Sequence, residues 1–99
     1  LAPLVHLEKL NLHGNDIGDR GLKHIGPALS KLTQLRILDV SQNGLELKET
    51  DSWKLFSVAL SKMTKLEDLG LKENNITPTT FERIAPSLKT LEHLKVVRV

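Results

Sequence analysis

Ninety-nine residues allow one compact unit and are too few for two separate cores. The absence of cysteine excludes a disulfide framework, a thiolate metal site and a thiol nucleophile, and 14 basic against 12 acidic side chains, mixed along the whole length, form no basic block. Only Trp53, Phe56 and Phe81 are aromatic, so the core must be aliphatic, a composition that suits thin stacked layers better than a globule built round large rings.

In chain order, Leu1 and Leu4 align with Leu29 and Leu32, so the sequence is expected to open in the tail of a helix. The segment Leu7-Glu-Lys-Leu10-Asn-Leu12-His-Gly-Asn15-Asp-Ile17 comes next, and the alternation around Leu10-Asn-Leu12 predicts a short strand with one buried face. After Asn15 the period changes. Leu22, Ile25, Leu29 and Leu32 fall at i, i+3, i+7 and i+10, which predicts an amphipathic helix, with Pro27 expected to bend it or end it early.

The pattern returns as Leu35-Arg-Ile-Leu38-Asp-Val40-Ser-Gln-Asn43-Gly-Leu45, predicting a second strand at Leu38-Asp-Val40. Three extra residues within Glu46 to Thr50 are expected to bulge the loop into the second helix, on which Trp53 takes the inward place of Leu22. The third copy, Leu66-Glu-Asp-Leu69-Gly-Leu71-Lys-Glu-Asn74-Asn-Ile76, predicts a strand at Leu69-Gly-Leu71. Thr77-Pro78 is a capping hydroxyl followed by proline, a good helix start, and Phe81, Ile84, Leu88 and Leu91 repeat the apolar stripe with Pro86 placed like Pro27. Lys31, Lys62, Lys65 and Lys89 lie near helix ends that favour positive charge. A fourth copy runs from Leu94 through Val97 to Val99; the starts at Leu7, Leu35, Leu66 and Leu94 are 28, 31 and 28 residues apart.

Three copies of L-x-x-L-x-L-x-x-N-x-L in register resemble the leucine-rich repeat family, and units of this length, with room for a full helix, are similar to its ribonuclease-inhibitor-like subfamily. The expected fold is an α/β, right-handed solenoid of about three repeats, with parallel strands on the concave face and helices on the convex face. Residues 1–99 read as a single segment excised from a longer array, since neither end carries a polar capping unit. The resemblance also implies that Asn15, Asn43 and Asn74 form a structural ladder, each amide bonding backbone groups of its turn and of the neighbouring repeat.

Strand alternation names the concave wall as the partner-binding surface: Lys9, Asn11 and His13, then Ile37, Asp39 and Ser41, then Asp68 and Lys72, then Val96 and Arg98, with Gln42 and Glu73 at its rim. Positive and negative side chains balance there, which argues against a groove that tracks phosphates and suits a protein partner. No catalytic, cofactor or metal site is expected. No pair among His6, His13, His24 and His93 has ligand spacing, and His13, Asp39 and Ser41 lack the pocket and oxyanion hole that a triad requires. Trp53 reads as core rather than partner contact, and Asn75-Ile-Thr77 is a glycosylation triplet that matters only in a secreted protein.

No apolar run approaches the ~18 residues that span a bilayer, and the opening residues lack the layout of a signal peptide, so a cytoplasmic protein that binds neither nucleic acid nor membrane is expected. The resemblance implies a protein-interaction module of a larger intracellular protein, ligand-sensing or autoinhibitory as in nucleotide-binding-domain innate-immune receptors. The alternatives are a regulator of an enzyme, ribonuclease-inhibitor-like or GTPase-activating, and a scaffold that self-associates through its uncapped apolar ends.

Overall fold

A computed structural model describes residues 6–99; Leu1 and Leu4, expected in a helix tail, lie outside the described residues. Strands β1 (Lys9–Asn11), β2 (Ile37–Asp39), β3 (Asp68–Gly70) and β4 (Val96–Arg98) alternate with helices α1 (Gly18–Leu29), α2 (Thr50–Lys62) and α3 (Pro78–Lys89). The strands form one parallel sheet in the order β1-β2-β3-β4, with Leu10, Leu38, Leu69 and Val97 side by side. Each connection runs strand, loop, helix, turn, strand, so all strands point one way and all helices the other.

The helices pack neighbour on neighbour behind the sheet, α1 on α2 and α2 on α3. Strands ~4.8 Å apart must keep step with helices needing ~8–10 Å, so the strand side is the inner wall of the curve. The core lies between the layers. Leu35, Leu38, Leu66 and Leu69 from the strand side meet Phe56, Leu60, Met63 and Ile84 from the helix side, all without solvent exposure. The first layer, Leu7, Leu10 and Leu12, and the last, Leu94 and Val97, are only partly buried.

The strands and the Thr77 cap appear where the spacing predicts them, and the α1 and α3 stripes do as far as Leu29 and Leu88, with Leu32 and Leu91 in the turns that follow; the Thr77 hydroxyl accepts the Thr80 N–H at 3.2 Å. Two expectations need correction or refinement. Neither helix stops at its proline, but each ends soon after it, α1 at Leu29 and α3 at Lys89, whereas α2, with Val58 at that place, runs on to Lys62. Pro27 and Pro86 lie on exposed faces, as do Lys23 and Glu82 four residues earlier, so the carbonyls deprived of a donor face water. The loop insertion, for its part, leaves Lys48, Glu49 and Thr50 exposed but does not lie wholly at the surface. It turns Leu47 into the core at a φ of 53°, where the Leu47 N–H donates to an Asp19 carboxylate oxygen at 3.0 Å.

Candidate interaction surface

Each strand leaves the sheet through the same turn. The ladder asparagine is flanked on both sides by left-handed residues: Gly14 and Asp16 around Asn15, Gln42 and Gly44 around Asn43, Glu73 and Asn75 around Asn74. Glycine, asparagine and aspartate tolerate that conformation, whereas Gln42 and Glu73 adopt it at a steric cost. Their side chains meet, Gln42 Nε2 donating to Glu73 Oε2 at 2.7 Å.

The turn holds because the asparagines satisfy its backbone. Asn74 Oδ1 accepts the N–H groups of Asn43 at 2.8 Å and Leu45 at 3.1 Å, and its Nδ2 donates to the carbonyls of Val40 and Leu71. Asn43 repeats the arrangement one layer earlier: Oδ1 accepts from Asn15 and Ile17, and Nδ2 donates to Leu12, Val40 and Ser41 carbonyls. Asn43 and Asn74 are buried, so these bonds replace water that cannot enter. Asn15, in the first described turn, is exposed and bonds within its own turn, to the Leu12 and His13 carbonyls.

On the concave wall Lys9, Asn11, His13, Lys72, Val96 and Arg98 are exposed, while Ile37, Asp39 and Asp68 are half-buried. Ser41 departs from the expectation that it faces a partner. It is 5% exposed, and its Oγ accepts the Lys72 N–H at 3.0 Å. The reason lies in the next strand. Asn11 and Asp39 each accept, through a side-chain oxygen, the N–H two residues on, at His13 and Ser41; Gly70 has no side chain to do this for Lys72, and Ser41 supplies the acceptor instead.

Charge on this wall is paired across repeats. Arg98 holds Asp68 through Nε and Nη2, each at 3.1 Å, and the pairing raises the arginine pKa. Asp39 lies 3.9 Å from His13 Nδ1. Partial burial pushes the Asp39 pKa up, but the hydroxyl and backbone N–H of Ser41, with His13 and Arg98 beyond, outweigh it and leave the pKa lowered. His13, Asp39 and Ser41 therefore adjoin without forming a relay, because the serine oxygen is occupied by a backbone N–H and the carboxylate contacts the serine rather than orienting the histidine toward it. Among the described residues no three His, Cys, Asp or Glu side chains converge as metal ligands, and no helix is long and apolar enough to cross a membrane.

Sequence reading missed a second row. Glu8, Arg36, Glu67 and Lys95, each one residue before a concave position, alternate in sign from repeat to repeat. Arg36 Nε donates to Glu67 at 2.6 Å, Arg36 Nη1 lies 3.5 Å from Glu8, and Lys95 Nζ lies 3.7 Å from Glu67. Glu67 holds the Arg36 pKa up and Arg36 holds the Glu67 pKa down. Tabulating that column at the repeat period would have exposed the alternation. On the convex side Trp53 is half-buried against the core, with Lys54 Nζ and the Arg83 guanidinium 5.8 and 5.9 Å from its ring centre. Asn75 is exposed at its turn.

Both ends of the stack present apolar hollows. One, of about 850 Å³, is lined by residues including Leu7, Leu10, Ile25 and Leu32, and the other, of about 620 Å³, by residues including Leu71, Ile76, Phe81 and Val99.

Residues 4–26 match the Leucine Rich repeat family. The chain folds as a leucine-rich repeat solenoid. A transforming growth factor beta activator of Danio rerio, LRRC33, is 39% identical over 95 residues, a match that spans 93% of this chain and 12% of that protein. Leucine-rich repeats are typically interaction modules without catalytic groups of their own, which directs attention to the concave wall as a surface rather than to any single side chain.

Proposed function

We propose that this leucine-rich repeat segment is a protein-protein interaction module whose contacts are made by the concave wall. One observation carries the reading: Lys9, Asn11, His13, Lys72, Val96 and Arg98 stand exposed on a sheet whose reverse face is packed into the core. Cationic, amide, imidazole and aliphatic groups on a rigid backing suit a protein surface better than a uniform polyanion. The role is non-catalytic, a reading supported by the capture of the Ser41 hydroxyl in a backbone bond.

The finer assignment is a ribonuclease-inhibitor-like segment of a larger cytoplasmic protein, sensing a ligand or restraining its parent as in innate-immune receptors. Repeat starts 28 and 31 residues apart and the absence of cysteine support it. A second reading comes from the relative, whose name describes activation of a growth factor; there the same wall would face a growth factor. Self-association through the two apolar hollows is a third mode, and light scattering across a concentration series separates it from a monomeric binder.

The test is to immobilise the chain and expose it to cell extract and, separately, to purified transforming growth factor beta. A protein retained by wild type and by the convex variant Val58→Asp, but lost from Lys9→Glu/Arg98→Glu, supports the concave reading. Retention that survives the concave pair and fails with Val58→Asp overturns it.

A further inference from the structure

We infer that the edge of the solenoid where helices hand over to strands is a second docking surface, distinct from the concave wall, for a carboxylate-rich protein segment. The topology does the sorting. Because every strand points one way and every helix the other, all helix-to-strand turns share one edge and all strand-to-helix loops share the opposite edge.

The charges of the sequence divide along that line. The helix-to-strand edge, taken with the last turn of each helix, carries six cations, Lys31, Arg36, Lys62, Lys65, Lys89 and Lys95, against three anions, Glu8, Glu67 and Glu92. The opposite edge, taken with the first helical turns, reverses the ratio, with three cations against the six anions Asp16, Asp19, Glu46, Glu49, Asp51 and Glu73. A chain of net charge +2 thus carries +3 at one edge and −3 at the other. Lysines in a last helical turn complement the helix dipole, which accounts for Lys62 and Lys89; it does not account for Lys65, which lies beyond the helix end.

Internal pairing sharpens the pattern. Arg36 and Lys95 are engaged with Glu8 and Glu67 and Lys65 Nζ donates to Gln34 Oε1 at 2.6 Å, whereas Lys31, Lys62, Lys65 and Lys89 are all exposed and have no carboxylate within salt-bridge distance among the described residues. Neighbouring helices stand ~8–10 Å apart, so lysines of successive repeats meet roughly every third residue of an extended chain. Carboxylates at that spacing would find a cation at each step. Nucleic acid fits less well, because Glu8, Glu67 and Glu92 interrupt the row and no Phe, Tyr or Trp lies at this edge for bases to stack on. An anionic membrane fits less well for the same three acids.

The experiment titrates a deca-glutamate peptide into the isotope-labelled chain at low salt, following backbone amides by NMR, with Lys62→Glu/Lys65→Glu and the concave pair Lys9→Glu/Lys72→Glu as variants whose folding is checked by circular dichroism. Shifts at the turns around Lys31, Lys62, Lys65 and Lys89, and an affinity that falls about tenfold in the edge pair but not in the concave pair, support the inference. Shifts on the concave wall, equal losses in both pairs, or no binding overturn it. A deca-thymidine oligonucleotide or phosphatidylserine vesicles binding the same turns more tightly than the peptide overturn it as well, in favour of nucleic acid or membrane. The concave-wall proposal fails or stands separately, on whether Lys9→Glu/Arg98→Glu loses a retained protein partner.

Discussion

Asp39 leans across the sheet into the space above Gly70: a β-carbon at residue 70 would stand 2.7 Å from the Asp39 carboxylate oxygen and 3.3 Å from Ser41 Oγ. The missing side chain of one repeat is the socket for the side chain of the previous one. That carboxylate accepts the Ser41 N–H, and Ser41 in turn accepts the Lys72 N–H, so one vacancy organises the middle of the concave wall.

Gly70→Ala should therefore lower stability by about 1–2 kcal/mol, since Asp39 must swing away and release the Ser41 N–H. Urea denaturation of Gly70→Ala, Asp39→Ala and the double variant reads the coupling. The double variant should recover part of the loss; strictly additive losses would show that the two residues do not share the space.

The ladder predicts an asymmetry between chemically identical residues. Asn74→Ala strips two buried N–H groups and the Leu71 carbonyl of their partner, leaving the Val40 carbonyl with Asn43 Nδ2 alone, and should cost about 2–4 kcal/mol. Asn15→Ala removes bonds that water can replace and should cost less than about 1 kcal/mol. Equal denaturation midpoints for the two variants would contradict the assignment of Asn74 to a sealed turn.

Asp39 also sets a pH dependence. Its pKa is lowered in the folded chain, because the Ser41 bonds with His13 and Arg98 outweigh the opposing effect of burial, so ionised Asp39 favours folding above the unfolded carboxyl value of about 4. That contribution is lost as pH falls through the folded pKa. Wild type should exceed Asp39→Asn in stability at neutral pH, and the gap should close below about pH 4. A gap of constant size down to about pH 2.5 would mean that the carboxylate charge is not what matters there.

Leu47 is the residue that repeat reading could not place. Its side chain is fully buried although its φ is 53° and it belongs to the three-residue insertion. Leu47→Ala should cost about 2–4 kcal/mol through the cavity it leaves, comparable with a leucine of the regular motif such as Leu60. Denaturation of the two alanine variants side by side checks this, and a Leu47 loss below about 0.5 kcal/mol would return the loop to the surface.

Leu47 marks the boundary of what the sequence made legible. Strand positions, the inward stripes of α1 and α3 and the asparagine column follow from periodicity, because one repeat unit can close its core only against copies of itself. Residues whose role depends on the neighbouring layer were hidden. Ser41 looked like a surface residue until the absence of a side chain at Gly70 gave it an N–H to satisfy. Gln42 and Glu73 in left-handed conformations carry no local signature, since neither residue type favours that region.

The row of Glu8, Arg36, Glu67 and Lys95 gives the last prediction. Arg36 touches carboxylates on both sides, so Arg36→Glu would place three acids in consecutive layers. The groups are exposed, and repulsion among them acts through solvent that salt can screen. Arg36→Glu should unfold at a lower urea concentration than wild type in a buffer of about 10 mM ionic strength, with the difference fading by about 0.5 M as the Debye length contracts. The double variant Arg36→Glu/Glu67→Arg restores the opposite-charge pair between residues 36 and 67 but leaves like charges on either side of it, Glu8 beside residue 36 and Lys95 beside residue 67, so it should recover only part of the loss. A deficit that persists undiminished at high salt would assign Arg36 a packing role along its aliphatic stem, and the alternating charges would then be incidental to the register of the repeats.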